Sequence, residues 1–182
     1  MAWTLDRAHS DVSIETTAKG MFAKLAHDLR LLAGELTATV TEGEGGRLGV
    51  ELHLPVRAIK VDGVRKSGQV DRSVLSASDR SDIEKKIRED VLRSSEVKVT
   101  VPLPGVPSPG STTADATVEV GGYRSSVPLR LTIATKDGRT HAAGRAKVSL
   151  SALKIPPVKG PLNAFRVDDD VEIVFDVAFS AA

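Results

Sequence analysis

The chain has 182 residues, 41% hydrophobic and 27% charged, with 25 basic against 24 acidic side chains and a net charge of +1. That length can bury a sizeable core, and the balance excludes a disordered tail and any strong overall field for nucleic acid or anionic lipid. Cysteine is absent, which excludes disulfides, thiolate metal sites and cysteine nucleophiles together.

The first residues, Met1 to Arg7, show no basic segment followed by an apolar stretch. They therefore read as no signal peptide, and the expected location is the cytoplasm. No run approaches the roughly 20 apolar residues of a membrane span. Along the chain the dominant signal is period two, the signature of strands with one dry face and one wet face. Val12 and Ile14 alternate with Ser13 and Glu15. A short helix is expected over Phe22 to Ala26. The run Leu29 to Val40 changes its apolar face near Leu31-Leu32, which predicts a bulge or bend in one long strand.

After the turn Gly43-Glu44-Gly45-Gly46, the residues Leu48, Val50, Leu52 and Leu54 alternate with Gly49, Glu51 and His53. The period then breaks. Ile83, Ile87 and Val91 recur every four residues, predicting one amphipathic helix over 79–92. Ser81 with Glu84 fits a capping box, and Ser78 is the alternative cap. Period two returns at Val97–Leu103, Ala114–Val120, Val127–Ile133 and Ala146–Leu150. Gly121-Gly122 and Asp137-Gly138 supply the left-handed angles of tight hairpins. Pro156, Pro157 and Pro161 mark 151–170 as a long ordered loop. Val171, Ile173, Phe175, Val177 and Phe179 make the final strand.

Short connections imply antiparallel neighbours. Eight or more such strands hide their apolar face in a closed barrel or a sandwich.

The order of these elements resembles the YceI-like family, whose lipocalin-like barrels are associated with binding polyisoprenoid lipids. The resemblance runs through Trp3-Thr4-Leu5-Asp6 with Ala8-His9-Ser10, His27-Asp28-Leu29, Ala58-Ile59-Lys60-Val61, the helix from Asp79 to Leu92, and Arg166-Val167-Asp168-Asp169-Asp170. Arg7 stands where the family often has proline, and Ser94-Ser95-Glu96 replaces its Tyr-Pro pair. The resemblance implies an all-β fold, a single antiparallel lipocalin-like barrel of about eight strands over residues 1–182. It also implies an apolar small-molecule ligand, a polyisoprenoid, isoprenoid quinone or similar lipid, and no cofactor. Aromatic side chains are few, so a shorter or differently shaped guest is also accommodated.

On these grounds the expected ligand-binding set is Phe22, Leu25, Leu29, Leu31, Leu52, Ala116, Leu131, Val148 and Phe175. Small inward residues such as Ala114, Ala116, Ala142, Gly144 and Ala146 leave volume for a guest. His27 beside Asp28 suggests acid–base chemistry, but neighbours on a strand point to opposite faces, so one of the pair is expected to order a loop. His9, His27, His53 and His141 lack metal-site spacing, although His53 and His141 lie on strands that could meet. Asp168-Asp169-Asp170 reads as a solvated turn. Two alternatives stay open: an enzyme with a polar site inside the barrel near His27, and a solid-core module that uses the 151–170 loop to bind a protein. That loop either covers the barrel mouth or tucks against its wall, and it leaves a homodimer open.

Overall fold

The computed structural model describes residues 3–20 and 26–181. The short helix expected over Phe22 to Ala26 falls almost wholly outside them. Among the described residues thirteen strands are formed. They begin with β1 (Trp3–Glu15), β2 (Ala18–Lys19), β3 (Leu29–Ala33) and β4 (Thr37–Glu42). Next come β5 (Leu48–Pro55), β6 (Ile59–Lys66), β7 (Gln69–Asp71) and β8 (Glu96–Leu103). The last are β9 (Gly110–Val120), β10 (Tyr123–Lys136), β11 (Arg139–Ser149), β12 (Arg166–Val167) and β13 (Asp170–Ala181). One helix, α1 (Ala77–Lys86), lies between β7 and β8.

Eleven strands form one antiparallel sheet in the order β4-β5-β8-β9-β10-β11-β13-β1-β3-β6-β7, and β12 with β2 forms a separate two-stranded ribbon. This corrects the expected closed barrel of about eight strands. Among the described residues the ladder ends at β4 on one side and β7 on the other. The sheet nevertheless curls on itself. Arg7 of β1 donates from Nη1 to the carbonyl of Leu36, just before β4. Inward side chains of β4 and β1 then share one apolar wall.

Local chemistry explains the departures from the expected elements. The predicted single strand Leu29–Val40 is two strands, because Glu35 adopts a left-handed φ of 41° between them. The irregularity near Leu31 is real, but the extra residue lies on β6. Arg30 pairs with Gly63 and Leu31 with Val61, leaving Asp62 unmatched. A bulge of this kind frees backbone groups from the ladder, and α1 collects them. Arg80 donates from Nη1 to the carbonyls of Val61 (3.1 Å) and Asp62 (2.8 Å). One turn on, Glu84 accepts the N–H of Val61 at 2.9 Å. The Asp62 carboxylate, 7% exposed, is held by Arg72 at 2.7 Å and Arg30 at 3.4 Å. A bulge and a helix face are thus fitted to each other.

The helix begins earlier than expected. Ser76 is its cap, accepting from the N–H of Asp79 while Asp79 accepts from the N–H of Ser76. Neither Ser78 nor Ser81 has that role. After Lys86 the winding loosens into π turns over Ile87–Leu92 and stops at Arg93 in a left-handed conformation. The looser winding turns both Val91 and Leu92 toward the sheet interior.

Buried apolar side chains form two clusters. One surrounds Val118, Val120, Val127, Val148, Leu153, Ile155 and Val171. The other surrounds Leu31, Leu36, Leu54, Ile59, Val61 and Val177. Ile14, Leu92 and Val97 pack against both clusters, and beside them lies open space.

Candidate functional site: an apolar cavity inside the curled sheet

That space is a cavity of about 400 Å³. Its wall is built by the inward set of the alternation on nearly every strand. Val12 and Ile14 of β1, Val97, Val99 and Val101 of β8, and Ile173, Phe175, Val177 and Phe179 of β13 all reach it. Of the expected binding set, Leu29, Leu31, Leu52, Ala116, Leu131, Val148 and Phe175 stand in this wall. Phe22 and Leu25 lie outside the described residues.

Sequence reasoning missed other wall residues. Trp3 and Phe179 sit at one end, with Leu48, Leu103 and Thr140 nearby. Thr16, Leu153 and Val167 sit at the other. Most were detectable as period-two positions, whereas Trp3 and Ile59 lie in stretches whose alternation is not clean. The α1 face of Ile83 and Ile87, extended by Val91 and Leu92, forms one side of the cavity. These residues are only half-buried although they face inward. The surface they leave uncovered looks into the cavity.

The 151–170 loop covers one end of the cavity, which decides between its two expected placements. Leu153, Ile155 and Val158 contribute to the wall. Asp169 fastens the loop's start, accepting from Ser149 Oγ (2.6 Å), the N–H of Ser151 (2.9 Å) and Ser151 Oγ (2.9 Å). These hydrogen bonds, with the Ser149 one foremost, hold the Asp169 carboxyl below the usual aspartate range. Asp168 pairs with Lys19 at 2.7 Å, and that contact lowers its pKa too. The acidic run, expected as a solvated turn, therefore anchors the cover in two places. Phe175 meets another requirement: a Cβ at Gly144 would lie 2.9 Å from its Cζ and 2.6 Å from the Arg130 carbonyl. Glycine at that position gives the ring its seat.

Ionisable side chains stand almost entirely outside the wall. Among the described residues Lys86 is the one charged residue in it. Leu52 and Leu54 face inward, so His53 faces outward, between Glu51 (2.8 Å) and Glu96 (3.2 Å). Lys98 and His53 together lower the pKa of Glu51, the Lys98 hydrogen bond most strongly. His141 likewise faces outward and meets Asp176 at 2.8 Å. Strands β5 and β11 are separated in the sheet by β8, β9 and β10, so His53 and His141 do not meet. Among the described residues no three His, Asp or Glu side chains are grouped as metal ligands. His27 is exposed, while Asp28 accepts the N–H of Ala18 at 2.8 Å and so orders the adjoining turn.

The chemistry this arrangement supports is desolvation. A wall of methyl groups and three aromatic rings offers dispersion contacts and almost no hydrogen bonds. The cavity runs from Val171 to Phe179 along β13, roughly 27 Å of extended strand, or about 20 Å along the axis at the tilt typical of curled sheets. The wall is therefore elongated along β13.

No protein-family model matches the chain, and no curated protein matches it in sequence. Solved structures do match. BcnA from Burkholderia cenocepacia aligns over 96% of this chain and 98% of its own, with a TM-score of 0.66 at 12% identity. A mutant CJ YCEI protein with a monobromobimane guest structure aligns over 81% of this chain and 82% of its own, with a TM-score of 0.51 at 10% identity. The chain therefore has the YceI-like fold.

Proposed function

We propose that a chain with this fold binds an apolar or amphiphilic small molecule in its cavity and serves as a carrier or reservoir for it. The observation that carries the reading is the cavity itself. Protein interiors are close-packed, and an unfilled apolar space of about 400 Å³ departs from that packing at a cost in stability, because its lining side chains lack the contacts of a core. A purely structural barrel has small-to-large substitutions open to it that would remove that cost. The volume also lies in the range of small-molecule pockets. Binding is favoured over catalysis because, among the described residues, the wall holds no general acid, base or nucleophile apart from the threonines and Lys86. A polyisoprenoid or another long chain is the guest that suits an apolar wall running the length of β13.

Trp3 makes the test direct, since it is the only tryptophan in the chain and it stands in the wall. Titration with the C15 alcohol farnesol is expected to give a saturable shift of Trp3 emission. A linear, non-saturating response identical to that of free tryptophan would remove the proposal's support.

A further inference from the structure

Resting on that reading, we infer that the guest is an amphiphile with an anionic head group, oriented so that its head lies at Lys86 and its tail runs toward Trp3. Among the described residues Lys86 is the sole charged member of the wall, and it is exposed, so it stands where the cavity meets solvent. Its methylene stem adds to the apolar surface, while its ammonium reaches the seam between α1 and the covering loop, donating to the Lys159 carbonyl at 3.2 Å. An ammonium has three donors, and this bond uses one of them. Among the described residues no carboxylate forms an ion pair with Lys86, including Asp82 and Asp90 one turn away on the helix.

Three other acidic groups at this end are engaged elsewhere, while Asp82 and Asp90 make no ion pair among the described residues. Glu15 pairs with Arg65 at 2.9 Å, Asp168 with Lys19 at 2.7 Å, and Asp169 with two serines. The neighbouring Lys85 has Glu89, at 4.0 Å. Among the described residues the one cation in the wall thus has no partner charge. Among the described residues the opposite end offers Thr140 and the Trp3 ring, and no charged side chain lines it. An uncharged hydrocarbon would gain nothing from this asymmetry. A carboxylate or phosphate on a single chain would complete it, because a hydrogen bond between ionised partners is among the stronger polar contacts.

The test compares three ligands sharing one tail: dodecanoate, dodecyl phosphate and 1-dodecanol, titrated at pH 8 against Trp3 emission and by calorimetry. Either anion is expected to bind about tenfold or more tighter than the alcohol, with the advantage shrinking between 50 and 500 mM salt, conditions chosen to span about a threefold change in screening length. The two anions distinguish a carboxylate from a phosphate head. In Lys86→Met the anion-to-alcohol ratio falls toward one, and Lys86→Arg restores it. Circular dichroism verifies that both variants fold. Equal affinities of acid and alcohol in the wild-type protein would overturn the head-group assignment and leave the cavity reading intact. Failure of all three to bind would overturn both.

Discussion

Replacing Ala142 with leucine separates a hollow interior from a packed one. Ala142 points inward from β11, and its register partners Ile133 and Val177 are both buried. It is nonetheless half-buried itself and stands in the cavity wall, so its uncovered surface faces open volume. Leucine adds three carbons there. At about 0.8 kcal/mol for each buried carbon, less roughly 0.5–1 kcal/mol of rotamer entropy, the variant gains about 1.5 kcal/mol. For a chain of this size that raises Tm by about 3–6 °C in a calorimetric or circular dichroism melt. The same change in a close-packed core costs about 1–3 kcal/mol and lowers Tm. The variant is also expected to weaken farnesol binding at least tenfold, on the order of 1.4 kcal/mol. A lower Tm with unchanged farnesol affinity would refute the reasoning.

Three further outcomes follow from polar groups around the cavity. Glu84→Ala is expected to destabilise by about 1–3 kcal/mol in urea unfolding, because the Val61 N–H at the bulge loses its acceptor. Glu84→Gln keeps an acceptor oxygen and should recover most of that loss. Ser13 is 1% exposed, and its hydroxyl has no hydrogen-bond partner among the described residues, so Ser13→Ala is expected to be neutral or to stabilise by about 1 kcal/mol. Asp6 accepts from His9 and from Arg139, and these hydrogen bonds lower its pKa to about 2. A lowered carboxylate pKa stabilises the fold above the ordinary aspartate value and loses that effect as pH falls through the native one. The Tm difference between the wild-type protein and Asp6→Asn should therefore be full above about pH 4 and close as pH approaches 2.

Much of the sheet was legible because one face is dry and the other wet. Where alternation is clean, as in Val97–Leu103 and Val171–Phe179, strand and inward set follow directly. Strand β6 was not legible this way, since Val61, Asp62, Gly63 and Val64 are all buried and no period survives. Asp62 reads as a surface residue until Arg72 and Arg30 are seen to hold it. The first half of β1 was hidden by its polar residues and by the register shift between Asp6 and Asp11. The break at Glu35 depends on a left-handed angle that glutamate does not advertise. Within the site, the inward leucines and valines were readable from period two and Ile83, Ile87 and Val91 from period four. Lys86 was not, because a lysine whose stem lines a wall has the same sequence appearance as one in solvent. The open ladder, with edges at β4 and β7, depends on long-range pairing that no local pattern encodes.

The most direct test of the central claim is a crystal structure determined under xenon pressure, since a dry apolar hollow takes up xenon. Ordered xenon peaks are expected among Leu31, Ile87, Val99 and Ala142. Electron density showing those side chains in mutual contact, with no xenon between them, would contradict the account.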